Sequence, residues 1–276
     1  MSLNNKTAVI KVGGDVLLDQ AEREGLACNI KDLQAEDWSV VLLHGGGPQT
    51  NTLQEKHGLT PNKVAGRRIT SEADLVVVKQ AIAGEVNVNL TATLIEAGLP
   101  AFGCHGASGH LIQATKRPPV VVTGAGDDPI DFGEVGDVTG INKDLLQGLL
   151  DLGQIPVIAT LGVSPQGRIF NINADTTVVQ IARALQADLL LLTTGVGAVF
   201  RDLDQPDSRI KQVNRQQAKD LIAEGVIQGG MIPKVEEAMT LLSEGVNSIA
   251  IVSGRNPGAF LSVANGTGES GTRIVE

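Results

Sequence analysis

The sequence predicts an α/β protein: a three-layer sandwich with helices on both faces of a mainly parallel, open sheet. Three observations lead there. Short runs rich in Val, Ile and Leu recur at residues 8–12, 38–43, 155–159, 188–193 and 248–252, the pattern of strands buried on both faces. Helical patterns separate them, and strand–helix alternation implies parallel strands joined by crossovers. Glycine clusters follow several of the runs, at Gly13-Gly14, Gly45-Gly46-Gly47 and Gly195-Val196-Gly197. Sheets of this kind bind ligands at the C-terminal ends of their strands, where a missing Cβ lets backbone N–H groups approach an anion.

A chain of 276 residues, 42 % of them hydrophobic, has ample core for one large domain or two joined lobes. Its formal charge of −9 argues against a general nucleic-acid or membrane-surface role. Five Phe, one Trp and no Tyr leave little for base stacking. Cys28 and Cys104 have neither disulfide-framework nor metal-ligand spacing, which points to a reducing compartment. With no signal-peptide pattern and no apolar run of membrane-spanning length, the expectation is a cytoplasmic protein.

In chain order, residues 8–12 form the first strand and the mixed stretch 16–36 a helix. The second strand, 38–43, ends in His44 and the glycine triplet, and a helix follows over 49–56. Residues 59–70 read as an excursion with turn signals. Ser71 followed by Asp74 is a capping signal. It opens a long helix whose Leu75, Val78, Ile82, Val86, Leu90 and Leu94 fall on one face, turned either to the core or to a second subunit. Residues 100–104 give a short strand, and 111–138 read as hairpins on one edge of the sheet. Asn142 caps a helix to Gly153, 155–159 is a buried strand, and 162–167 is a turn. A helix at 175–185 precedes the strand 188–193. Helices at 215–224 and 232–244, with the Gly229-Gly230 turn between them, lead to the strand at 248–252. No low-complexity linker divides the chain. The one soft boundary gives lobes of residues 1–178 and 179–276.

Two lysines stand beside glycine pairs. Lys11 lies near the C-terminal end of the first strand, where a buried ammonium demands an anionic partner. Lys234 follows Pro233, a good first helical residue. In a first turn it opposes the helix dipole by about 0.3–1 kcal/mol unless an anion sits between them. The alternative is a side chain pointing to water. Asp175 is either a favourable acid in a helix first turn, with Asn173 as cap, or the acid that holds two active-site lysines. Arg68, after Gly66 and Arg67, either forks onto a carboxylate or is a surface charge. His105 and His110 lack acidic partners and read as loop residues rather than metal ligands. No Gly-Lys dipeptide exists, which excludes a Walker A loop. The spacing of Gly266, Gly268 and Gly271 has no helix after it and is not a dinucleotide fingerprint.

The order Lys11-Val12-Gly13-Gly14, His44-Gly45-Gly46-Gly47-Pro48, Gly66-Arg67-Arg68-Ile69-Thr70, Asn171-Ile172-Asn173-Ala174-Asp175 and Gly229-Gly230-Met231-Ile232-Pro233-Lys234 resembles the amino acid kinase superfamily and, within it, the acetylglutamate kinases. The resemblance runs from the first strand to residues 271–274. It implies the amino acid kinase fold and ATP-dependent phosphorylation of the side-chain carboxylate of N-acetyl-L-glutamate, an arginine-biosynthesis step giving N-acetyl-L-glutamyl 5-phosphate. By the same resemblance, Lys11 and Lys234 stabilise the transferring phosphoryl group and Asp175 organises them. Gly46, Gly47, Arg68, Asn171 and Asn173 bind acetylglutamate. Gly13, Gly14, Gly195, Val196, Gly197, Ala198, Val199, Phe200, Val226, Ile227 and Gln228 meet the nucleotide. Mg²⁺ would come with ATP, held mainly by its phosphates, with no metal site on the protein.

One departure bears on nucleotide contact: where many relatives have Asp-Val-x-Gly, this chain has Gly195-Val196-Gly197-Ala198. Relatives that arginine inhibits carry an extra N-terminal helix that interlaces dimers into a hexamer. Here the first strand begins near Thr7, and residues 1–6 are too few for such a helix. The expectation is a homodimer, insensitive to arginine, with the long helix available for the two-fold contact. The alternatives are a kinase for a related carboxylate, such as a carrier-linked aminoadipate, and a non-catalytic sensor on the same fold.

Overall fold

The computed structural model describes residues 6–14, 16–122, 126–229, 231–242, 246 and 248–275. The expectation built on residues 1–6 thus lies, Lys6 apart, outside the described residues, as does Gly230.

β1 (Thr7–Val12) is buried from Ala8 onward, and α1 (Gln20–Ala35) follows, its N-terminus capped by the Asp19 carboxylate. β2 (Ser39–His44) runs almost directly into α2 (Gly47–Lys56), with Pro48 in the first turn. The excursion is a small hairpin, β3 (Lys63–Val64) and β4 (Arg67–Arg68), turned by Ala65 and Gly66 in left-handed backbone. Ser71 and Asp74 form the expected capping box at the start of α3 (Glu72–Val78). The helix then passes through a π-helical segment, Lys79–Val86, into α4 (Asn87–Glu96).

Next come β5 (Ala101–His105), β6 (Ile112–Lys116), β7 (Gly136–Ile141) and α5 (Lys143–Asp151), capped by Asn142. β8 (Ile155–Ala159), β9 (Leu161–Val163) and β10 (Ile169–Asn171) lead to α6 (Ala174–Leu185), capped by Asn173. The rest comprises β11 (Leu189–Thr193), the short strands β12 (Val199–Phe200), β13 (Arg209–Ile210) and β14 (Gln212–Val213), and α7 (Arg215–Ala223). α8 (Met231–Leu242), β15 (Ile249–Val252), α9 (Ala259–Ala264) and β16 (Thr272–Ile274) complete it.

One eight-stranded sheet runs in the order β14-β16-β15-β11-β1-β2-β8-β5. Its neighbours are parallel except β15 and β16. Alternation along each strand divides the core in two. Val9, Val41, Leu43 and Leu190 pack with α5, α6, α7 and α8 on one face. Ala8, Ile10, Leu42 and Leu191 pack with α1, α4 and α9 on the other. Lys11 shares the face of Val9, and so points toward α6. His44 alternates to the opposite face, toward α4. Buried Asn29 of α1 spans the second layer: its Nδ2 donates to the carbonyls of Gly254 and Asn256, and its Oδ1 accepts from the N–H of Phe260.

Three expectations are corrected here. Residues 111–138 do not form hairpins on the edge of the main sheet. β6 and β7 join β9 and β10 in a separate four-stranded sheet, order β10-β9-β6-β7. The chain leaves the main sheet after β5 at Gly106, which passes so close to β9 that a Cβ there would lie 1.7 Å from the carbonyl oxygen of Leu161. The turn expected over 162–167 begins only at Ser164, because the residues before it pair as β9. The helix after Gly229 starts at Met231, so Pro233 stands third, a position whose missing N–H costs no helical bond. Of the apolar stripe, Val78, Ile82, Val86, Leu90 and Leu94 are buried in the chain's own core and Leu75 is half-buried, while the exposed large apolar residues of this helix are Val76, Val88 and Ile95.

Candidate active site

The C-terminal ends of β11, β1 and β2 open on one side of the sheet, and two clefts meet there. The larger, about 460 Å³, is lined by Lys11, Gly13, Gly14, Gly45, Gly46, Gly47, Arg68, Asn171, Asn173 and Asp175, among others. The smaller, about 250 Å³, is lined by Lys11, Thr193, Thr194, Gly195, Val196, Met231 and Lys234. Lys11 lines both.

Lys11 is 7 % exposed. Its Nζ lies 2.9 Å from Oδ1 of Asp175, and its carbonyl oxygen accepts a 3.0 Å hydrogen bond from Oγ1 of Thr193. Asp175 is delivered by local chain chemistry. β10 stops at Asn171, and Asn173 caps α6 by accepting from the N–H of Thr176 at 3.0 Å. Asp175 then falls in the first turn, where the helix dipole favours a carboxylate. Asp175 is thus the first-turn acid and the partner of Lys11, one of the two lysines that the other reading gave it.

The two glycine turns touch. A Cβ on Gly14 would sit 2.8 Å from Cδ of Pro48 and 3.1 Å from the amide nitrogen of Gly47. Gln49 ties them by donating from Nε2 to the carbonyl of Gly14 at 2.9 Å. Arg68 is clamped from α2: its guanidinium donates to Oε1 of Gln54, to Oδ1 of Asn51 at 2.5 Å and to the carbonyl of Gly47 at 3.3 Å. Gln54, itself buried, donates to Oδ1 of Asp74 at 2.5 Å. Burial lowers the pKa of Arg68 below the ordinary guanidinium value, opposed by the nearby Asp74 carboxylate. Asn171 donates from Nδ2 to Oγ1 of Thr70 at 3.0 Å, joining the second sheet to the start of α3.

Several residues that build the site, by holding Arg68 or by lining the larger cleft, are not singled out by the sequence. Asn51 and Gln54 stand three apart on α2, a spacing with no chemical signature. Lys63 and Arg117 also line the larger cleft, as does Arg67. Arg117 forks onto Oδ1 of Asp137 through Nε at 2.8 Å and Nη2 at 2.6 Å. Its one local signal is the following Pro118-Pro119, which favours extended backbone.

Of the nucleotide set, Gly195 and Val196 reach the smaller cleft, whereas Gly13 and Gly14 line the larger. Gly197, Ala198, Val199, Phe200, Val226, Ile227 and Gln228 line neither of these two clefts. Gly197 has a structural reason to be glycine. Its φ is +77°, a Cβ would lie 2.6 Å from Cβ of Ser253, and its N–H donates to Oγ1 of Thr194 at 2.9 Å. Among the described residues no group of three or more His, Cys, Asp or Glu converges on a metal site. The stretch Gly195–Ala198 is thus a tight turn after β11, closed by the Thr194 side chain.

The profile of the Amino acid kinase family matches residues 6–253. An acetylglutamate kinase of Anaeromyxobacter dehalogenans (strain 2CP-C) is 44 % identical over 97 % of this chain and 98 % of its own. Among solved structures, smu.665 from Streptococcus mutans UA159 superposes with a TM-score of 0.76 at 32 % identity, covering 98 % of both chains. The N-acetylglutamate synthase of Neisseria gonorrhoeae, complexed with coenzyme A and N-acetyl-glutamate, gives 0.79 at 26 % identity, over 98 % of this chain and 59 % of that one.

The buried end of β2 makes a pH prediction. Burial pushes the pKa of His44 from 6.5 down to about 4. Between those values the unfolded chain binds the proton and the folded chain does not, so stability rises with pH across the window. The contribution is complete above about pH 6.5 and is lost as pH falls toward 4, a change on the order of 3 kcal/mol. Urea unfolding of the wild type and of His44→Asn measures it: the variant is expected to show a correspondingly shallower loss of stability in acid.

Proposed function

We propose that this chain, a member of the amino acid kinase family, transfers a phosphoryl group where its two clefts meet. It phosphorylates the side-chain carboxylate of N-acetyl-L-glutamate with ATP, giving N-acetyl-L-glutamyl 5-phosphate for arginine biosynthesis. The observation that carries this reading is the sharing of Lys11 between a cleft suited to a small dianion and a cleft edged by glycine and a second lysine.

A carboxylate is already a nucleophile, so the reaction needs no general base. Its difficulty is electrostatic, since two anions must be held in line and in contact. In our reading Gly46, Gly47, Arg68, Asn171 and Asn173 hold acetylglutamate in the larger cleft. Arg68, pre-oriented by Gln54 and Asn51, meets a substrate carboxylate. ATP takes the smaller cleft and the turn after β11, with its phosphates toward Lys234. Lys11, fixed by Asp175, and Lys234 neutralise the charge of the group in flight. Mg²⁺ would supply further charge neutralisation on the phosphates, and we assign it no protein ligand.

The finer readings follow. Residues 1–178 supply the acetylglutamate side and 179–276 the nucleotide side of one continuous sheet, the division falling inside α6. No described helix is long and apolar enough to cross a membrane, and we place the protein in the cytoplasm. We assign it a homodimer in which α4 and the edge strand β5 meet their copies. The contact uses exposed Val88, Ile95 and Phe102 instead of the buried stripe.

Trapping the acyl phosphate as a hydroxamate tests the activity: ATP with N-acetyl-L-glutamate is expected to give product, and a blank result would overturn the reading. Lys234→Ala should lower kcat by about 10²–10³, the scale for one preorganised electrostatic donor; near-normal turnover would remove it from the mechanism. Arg68→Ala should raise KM for acetylglutamate far more than KM for ATP, and Arg67→Ala should do less. Light scattering is expected to give twice the chain mass, with a monomer after Ile95→Lys.

A further inference from the structure

The glycine triplet beside the larger cleft is held from behind by a buried polar chain that the mechanism above does not use. His44 ends β2 with no exposed surface. Its Nδ1 lies 2.8 Å from the carbonyl oxygen of Gly45, and its Nε2 lies 2.8 Å from Nδ2 of Asn87. That same Nδ2 lies 2.9 Å from the carbonyl of Val157 and 3.2 Å from that of Cys104. Carbonyl oxygens only accept. The Asn87 amide is therefore fixed with its nitrogen toward β5 and β8, and the imidazole carries its proton on Nδ1, leaving Nε2 as acceptor. The donors run one way, from Asn87 to His44 to Gly45.

Asn87 arrives there by way of the π-helical segment, which it follows directly. Bonding of the i→i+5 type sets the residues beyond it in a different register from a continuous α-helix, and such segments are frequent at functional sites. The segment also backs the triplet itself. A Cβ on Gly46 would lie 3.1 Å from Cγ1 of Ile82 and 3.4 Å from Cγ2 of Val86. One piece of helix thus supports Gly46 by apolar contact and Gly45 by a hydrogen-bond chain.

In a planar trans peptide the C=O and N–H point in opposite directions. With the Gly45 carbonyl drawn inward onto the His44 ring, the N–H of Gly46 points outward, into the cleft that Gly46 lines. We propose that His44, oriented by Asn87, is a positioning residue that aims the Gly46 N–H at an anionic oxygen of the reacting groups. The proposal rests on the kinase reading above.

Two measurements test it. Nitrogen-15 NMR of histidine-labelled protein at pH 7 should show the His44 signal, assigned as the one that persists in the His57→Gln, His105→Gln and His110→Gln variants, as the neutral Nδ1–H tautomer. The Nε2–H tautomer would overturn the proposal, and this measurement decides the matter if the His44 variants fail to fold. In kinetics, His44→Gln removes the donor to Gly45, and kcat should fall about 10²-fold, the scale of an ångström misplacement, with KM for acetylglutamate changed by less than about threefold. His44→Asn puts an amide nitrogen near the place of Nδ1 and should recover kcat to within about tenfold of wild type. Equal kcat in the two folded variants, whatever their melting temperatures, would show a merely structural histidine. Absence of hydroxamate from the wild type would overturn the kinase reading and with it the catalytic part of this role, while the tautomer still reports the contact.

Discussion

An ammonium group on an inner strand of a sheet constrains where much of this molecule can go. The Lys11 side chain is 8 % exposed and its partner Asp175 is 30 % exposed. An ion left unpaired in such a place costs several kcal/mol, so the lysine must meet a carboxylate at the strand's C-terminal edge. That carboxylate comes from the first turn of α6, and α6 must therefore begin at this edge. β10, which feeds α6, must end there too, and the four-stranded sheet that contains β10 docks beside the site as a result. The two partners are not equivalent. Without Asp175 the largely buried ammonium loses its paired charge, whereas without Lys11 the acid keeps more water and the favourable end of a helix.

The site also inverts the character of the whole chain. The protein carries a formal charge of −9, yet among the described residues that line the larger cleft Lys11, Lys63, Arg67, Arg68 and Arg117 outnumber the acid Asp175. A concave patch of one sign in a body of the other focuses field lines on the opening and draws small anions toward it. The clamps behind these cations serve the same end. Gln54 on Arg68 and Asp137 on Arg117 fix long side chains beforehand, so that less rotamer entropy is lost when a ligand arrives.

What the sequence revealed was chemistry confined to short stretches of chain. The Ser71–Asp74 box, the Asn142 and Asn173 caps and the buried run around Lys11 each depend on residues within a turn of one another, and each formed. The four-stranded sheet was not legible, because β6 meets β9 through one parallel pairing, Gln113 with Val163, across fifty residues of chain. Nothing in the local pattern of either strand records that neighbour. The π-helical segment was hidden for another reason: its apolar positions still recur every three or four residues, so the stripe looks α-helical. The clamp on Arg68 escaped because Asn and Gln side chains advertise no partner, and the partner here comes from another element. Buried faces, by contrast, were ambiguous only in what covered them, and the stripe from Val78 to Leu94 is covered by the chain itself.

The main sheet ends differently on its two sides. At one end is β14, two residues long; at the other is β5, five residues long, with Phe102 and Gly103 exposed. A strand of two residues offers few backbone groups to template another chain, while the longer edge offers more, although the N–H groups of Ala101 and His105 already bond the carbonyl of Leu99 and Oγ of Ser108. Growth by edge-to-edge pairing therefore has a single sticky end. In the homodimer proposed above, copies that meet through β5 turn the short β14 edge of each main sheet outward. Polymerisation into a filament through the main sheet would need a second long edge, which the two-residue β14 does not provide.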